Sequence, residues 1–190
     1  MAAWRQVFVE AGGSVPDRNV ERMLRNTRVP VPPGDTRRLD LIVSGLGVER
    51  GLPLFGDVTC VSPISARGFA RPGTSTIDGA LLRDAARDND DTYSEVLRTG
   101  LGKLSCLGCE VFGRWSGDAV RTVQAMAAEK ARGLPAVVRR TAQSHAARWW
   151  GLLTVATQQC VARAVLREAG ADLATTLLED PPGYTDLPVS

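Results

Sequence analysis

The order of apolar patterns predicts a small α/β or α+β fold, a sheet flanked by helices with a helical C-terminal extension. Three observations point there. Two short apolar runs, Arg38-Leu39-Asp40-Leu41-Ile42-Val43 and Leu52-Pro53-Leu54-Phe55-Gly56-Asp57-Val58-Thr59-Cys60-Val61, have the length and composition of buried strands. A third run, Lys103 to Phe112, follows a segment with helical spacing. The stretch 135–169 is alanine-rich and helical in pattern. The resulting order is helix, strand, strand, helix, strand, helix, helix.

Each element has a local reason. Residues 3–11 place Trp4, Val7 and Phe8 on one side, and Gly12-Gly13 ends the helix. Residues 17–27 are arginine-rich and helix-compatible, with Val20, Met23 and Leu24 as the apolar face. Val29-Pro30-Val31-Pro32-Pro33-Gly34-Asp35 is a stiff connector that neither a helix nor a central strand tolerates. Strands are expected at 37–44 and 53–61, separated by a glycine turn around Gly45-Leu46-Gly47. After a loop from Ser62 to Thr74, Asp78 is positioned to cap a helix over 79–97. That helix points Leu82, Ala85 or Ala86, Tyr93 and Val96 inward, and Asp88, Asp90 and Asp91 outward. Ser116 is placed to cap a helix over 117–132 that Gly133 and Pro135 stop. The expected division is a core at 1–132, a helical extension at 133–170 and a flexible tail at 171–190.

Composition narrows the class without naming a function. The apolar fraction is 44% and the charged fraction 23%, ordinary for a globular chain, and the net charge of +2 does not mark a strongly basic nucleic-acid module. Positive charge is almost all arginine, with lysine only at Lys103 and Lys130. Arginine is the better fork for phosphate, but a GC-rich coding sequence gives the same bias. Cys106-Leu107-Gly108-Cys109 lacks the second CxxC or nearby histidine of a zinc site, so buried reduced thiols and an intracellular setting are expected. The first residues lack the apolar core of a signal peptide, and the longest apolar stretch, Trp149 to Ala156, is too short to span a bilayer.

The chemistry-bearing residues are Asp40 and Asp57. An ionised carboxylate in an apolar run costs several kcal/mol unless it is paired, hydrogen-bonded or bound to metal. Two of them on adjacent strands can share one hard cation. The alternative is that either one caps a turn at a strand edge or pairs with Arg37 or Arg38.

Arg38-Leu39-Asp40, followed after 16 residues by Asp57-Val58-Thr59, resembles the PD-(D/E)XK nuclease pattern. More narrowly, it resembles the restriction-like endonuclease domain that follows reverse transcriptase in some non-long-terminal-repeat retrotransposons. The likeness runs over roughly residues 12–130 and includes a helix ending near Tyr93 and the strand Leu104 to Val111. It implies a restriction-endonuclease-like sheet and hydrolysis of a DNA phosphodiester, nicking a target whose free end primes reverse transcription. It further implies Mg²⁺ or Mn²⁺ held by Asp40 and Asp57 with the Val58 carbonyl, a DNA partner and possible contact with element RNA, no membrane, and a nuclear location. The polymerase cannot fit in this length, so the resemblance implies a truncated copy or one end of a polyprotein.

The departures are specific. Leu39 stands where the family has proline, and Thr59 stands at the ExK-type position. The family's lysine is commonly found instead on the helix before the tyrosine, where this chain has Asp88-Asn89-Asp90-Asp91-Thr92. Lys103 on the next strand is the substitute candidate for the catalytic cation. A decayed nuclease fits these departures, as does a second class of function, a non-catalytic nucleic-acid-binding or interaction module on the same scaffold. An unselected reading frame is the third.

Other motifs carry less. Ser144-His145 lacks a nucleophile elbow, and Gly100-Leu101-Gly102-Lys103 lacks phosphate-loop spacing and reads as a turn. Trp149 and Trp150 point about 100° apart on a helix, which favours core packing over base stacking. Arg139, Arg140, Arg148, Arg163 and Arg167 form a loosely basic side that suits phosphate contacts or plain solvation equally.

Overall fold

A computed structural model describes residues 1–16, 22–132, 134–135 and 141–169. The chain divides into two compact units, Met1–Thr157 and Gln158–Ser190. Of the second unit residues 158–169 are described, helical as far as Glu168. The tail expected at 171–190 lies outside the described residues.

The first unit is mixed α/β, as expected. Its centre is a three-stranded sheet: β3 (Leu41–Val43) runs antiparallel to β4 (Leu54–Asp57), and β4 runs parallel to β6 (Lys103–Cys106). A short parallel pair, β5 (Cys60–Val61) with β7 (Cys109–Glu110), continues the β4–β6 direction. The backbone ladder carries on between the two pairs, with Leu107 N–H donating to Asp57 O at 2.7 Å and Cys109 N–H to Thr59 O at 2.9 Å. Thus the expected strand at 53–61 is interrupted at Val58-Thr59, and that at 103–112 at Leu107-Gly108. The expected first strand is likewise split at Asp40, into β2 (Arg38–Leu39) and β3.

Alternation along the strands divides the core. Leu41, Val43, Leu54 and Leu107 join Trp4, Val7, Phe8, Val123, Met126, Trp149 and Leu153 in one apolar cluster. This face is covered by α1 (Ala2–Glu10), α4 (Gly117–Arg132) and the start of α5 (Thr141–Glu168). Ile42, Phe55 and Leu104 face the other way, packing with Leu24, Leu39, Tyr93 and Val96. Trp149 and Leu153 belong to the same core as α1, and the first compact unit runs on to Thr157.

Three local expectations are revised. The helix over 79–97 is two helices, α2 (Ala80–Thr92) and α3 (Ser94–Thr99), joined at Tyr93. Asp78 does not cap it. The cap position is Gly79 at φ 64°, and Asp78 instead pairs with Arg114 at 2.6 Å. The described part of the segment expected as a helix over 17–27 is β1 (Arg22–Met23), paired with β2, then a 3-10 turn at Leu24–Asn26. Propensity lost there to a strand partner that only the fold supplies.

Ser116 caps α4 as expected, accepting from Ala119 N–H at 3.1 Å. It also donates to Cys106 O at 2.7 Å and accepts from Gly108 N–H at 3.2 Å. One buried hydroxyl therefore ties the break between β6 and β7 to the start of α4.

Candidate functional site

The interruptions in the strands define the site. In the antiparallel pair, Leu41 lies opposite Gly56, Ile42 opposite Phe55 and Val43 opposite Leu54. Asp40, at the bend one residue before Leu41, lies just beyond this register, beside the end of the strand that carries Asp57. In the parallel pair Asp57 is registered with Cys106. Asp57 and Cys106 thus form a row across the sheet, and side chains in such a row share a face. Asp57 follows Phe55 by two positions and Cys106 follows Leu104 by two, so the row looks toward α2 and α3.

The Asp40 carboxylate accepts the Val58 backbone N–H through Oδ2 at 2.8 Å. A strand break frees backbone groups from the ladder, and this bond satisfies one of them. Both aspartates are half-buried at strand ends, where expectation had them within buried runs. Nearby, the Tyr93 hydroxyl donates to the Arg38 carbonyl, and Arg37 forks Glu95 of α3 at 2.9 and 3.1 Å while pairing with Asp35 at 2.6 Å. These contacts clamp the strand leading to Asp40 onto the joint between the two helices.

Between the row and α2 lies a cleft of about 230 Å³. Asp57 and Thr59 line it from the sheet, and Ala85, Asp88, Asn89 and Tyr93 from the helical side. Thr59, at the ExK-type position, brings a hydroxyl to this wall and no charge. Lys103 is registered opposite Leu54, three residues from Cys106, or about 10 Å along a strand. The sheet therefore separates Lys103 from the Asp57–Cys106 row along the strand direction.

The surroundings are acidic. Desolvation, then the charges of Asp118 and Asp91, hold the Asp90 carboxyl above its usual range, with Lys103 opposing them. The Cys106 thiol is pushed up to about 11, chiefly by burial and further by Asp57, Asp118 and Asp90. An anion entering here meets repulsion that a cation can offset. Among the described residues, no group of three or more His, Cys, Asp or Glu side chains forms a protein cage for a metal. A hydrated Mg²⁺ needs less, one or two carboxylates plus waters and substrate phosphate. The donor set fits that ion: the Asp57 carboxylate on the cleft wall and the Asp40 carboxylate held at the adjacent Val58 N–H, with the buried Asn89 amide also on the wall, both of its polar atoms unpartnered.

A second cleft, about 380 Å³, borders α2 as well, lined by Arg83, Arg114 and Arg121 together with Asp78, Ser116 and Asp118. Sequence reading singled out neither Arg114, Arg121 nor Asn89. For Asn89 a signal existed: it lies seven residues after Leu82 and four before Tyr93, the inward face of the helix. The basic side expected on the last helices is less coherent. Arg139 and Arg140 lie outside the described residues, and Arg148 pairs with Glu10 at 2.9 Å. Trp149 is fully buried, and Trp150 packs on Trp115 with ring centroids 5.3 Å apart, so both pack as core residues. Cys106 and Cys109 are buried free thiols. No helix among the described residues is long and apolar enough to cross a membrane. Comparison with models of known protein families gives no match to this chain, and comparison with curated protein sequences gives none either.

Proposed function

We propose that this chain is a restriction-like endonuclease domain of a retrotransposon-derived polyprotein, which hydrolyses a DNA phosphodiester with Mg²⁺ or Mn²⁺ at Asp40 and Asp57. The observation that supports it is the hydrogen bond from Val58 N–H to the Asp40 carboxylate, which brings Asp40 to the residue next to Asp57, itself on the wall of a cleft. The order of hairpin, helices and parallel strand agrees with the resemblance on which the reading also rests.

In the reaction a water oxygen forms a bond to phosphorus as one P–O ester bond breaks. The electron pair leaves with the deoxyribose oxygen, which takes a proton from solvent, while the attacking water releases one. Asp57 and Asp40, with the Val58 carbonyl, would hold the metal, which supplies an acidified water and neutralises charge on the phosphate. Asp40 also holds the bend after Asp57 through Val58 N–H. The guanidinium groups of Arg83, Arg114 and Arg121 would offer a track for neighbouring phosphates, Arg114 by exchanging Asp78 and Glu110, and Arg121 by exchanging Asp118, for the new anion.

The test is nicking of supercoiled plasmid with Mg²⁺ or Mn²⁺. Wild-type chain nicks and Asp57→Ala does not; cleavage that survives Asp57→Ala ends the assignment.

The position of Lys103 favours a second reading, a non-catalytic nucleic-acid-binding module on the same scaffold. That reading expects no nicking, together with DNA affinity that falls steeply with salt. Flat salt dependence removes it.

A further inference from the structure

Asn89 is 5% exposed, and both its amide nitrogen and its amide oxygen lack a hydrogen-bond partner. Buried carboxamides are almost always satisfied, because an unpaired donor or acceptor bears its full desolvation cost. This one lies on the wall of the cleft that Asp57 lines. An apolar side chain would pack at this inward position without that cost. The amide therefore waits for a ligand that both accepts and donates a hydrogen bond.

We propose that Asn89 is a positioning residue of the Asp57 cleft, its Oδ1 accepting from the attacking water and its Nδ2 donating to a non-bridging phosphate oxygen. This rests on the nuclease reading. A carboxamide does not titrate near neutral pH, so Asn89 orients both reactants without gaining or losing a proton. It acts as a neutral guide in a cleft that Asp57 and Asp88 also line.

The test uses Asn89→Leu, which keeps the volume and removes both polar atoms. Three quantities are compared with wild type: thermal midpoint without ligand, DNA affinity, and nicking rate at saturating DNA. The expected result is a higher midpoint, an affinity lower by less than about tenfold and a nicking rate lower by about 100-fold. Loss of rate in a more stable protein separates positioning from a structural role. A lower midpoint shows that the amide was partnered in the fold and overturns the inference. So does a rate within about threefold of wild type, a negligible loss of transition-state stabilisation; both outcomes leave the nuclease reading standing. Wild-type chain that does not nick ends that reading, and this inference with it. Should Asn89→Leu fail to fold, Asn89→Ala removes the amide without new bulk, and the same split between rate and affinity decides.

Discussion

The Asp40 carboxylate accepts the Val58 backbone N–H at 2.8 Å, so one side chain bridges two strands where both leave regular pairing. This bond gives Asp40 a structural role beside any chemical one, and the two roles separate by substitution. Asp40→Ala orphans the N–H and is expected to cost about 1–3 kcal/mol in urea unfolding. Asp40→Asn keeps an acceptor oxygen at the same place and should stay within about 1 kcal/mol of wild type, while abolishing nicking through loss of charge. Equal destabilisation by both would show that the charge, and not the acceptor, holds the bend.

Ser116 makes the comparable stitch at the break between β6 and β7. Its hydroxyl serves the Cys106 carbonyl, the Gly108 N–H and the Ala119 N–H together. Ser116→Ala removes a helix cap and leaves buried backbone groups unpaired, an expected loss of about 2–3 kcal/mol. The nicking rate should fall with it, because Cys106 is the register partner of Asp57. Hydrogen exchange at the Gly108 and Ala119 amides reads the loss locally.

The pH dependence of stability should carry the mark of Glu10. Hydrogen bonds from Arg148 above all, then from Gln6 and Trp149, lower its carboxyl to about 2 from 4.5 against some opposing desolvation. A carboxyl with a depressed folded pKa contributes stability that is complete above 4.5 and lost as pH falls toward 2. The Glu10 side chain is 28% exposed and that of Arg148 58%, so solvent screening reduces the contribution to about 1–2 kcal/mol. In unfolding titrations, Glu10→Gln should flatten this part of the acid limb and leave the neutral region shifted down by a similar amount.

Thiol chemistry tests the environment of the site row. Cys60 and Cys160 are exposed, whereas Cys106 and Cys109 are buried. Alkylation near neutral pH, followed by peptide mapping, should modify Cys60 and Cys160 first. Burial is the main cause of the high Cys106 pKa and the Asp57 charge the next, so Asp57→Asn lowers that pKa and speeds Cys106 modification. An unchanged rate would mean that Asp57 does not face the thiol.

Much of this was readable in advance because it is local. The apolar face of α1, the Ser116 cap of α4 and the inward-facing Leu82, Tyr93 and Val96 all follow from spacing within a few residues. Asn89 occupies the same inward spacing, yet its acidic neighbours Asp88, Asp90 and Asp91 draw attention to the outward face of that segment. Arg114 and Arg121 are scattered in sequence, and their shared cleft with Arg83 arises only when α2 packs beside the start of α4.

The chain's own letters determined an α/β class, the apolar faces of its helices and the candidacy of Asp40 and Asp57. Only the folded sheet decided that Asp40 reaches Val58 beside Asp57, that Lys103 lies three residues along from the Asp57–Cys106 row, and that the first compact unit runs on to Thr157. The physical reason is range. Helical periodicity repeats every few residues, whereas strand register joins segments up to about fifty residues apart, and a slip by one position would send every side chain to the opposite face.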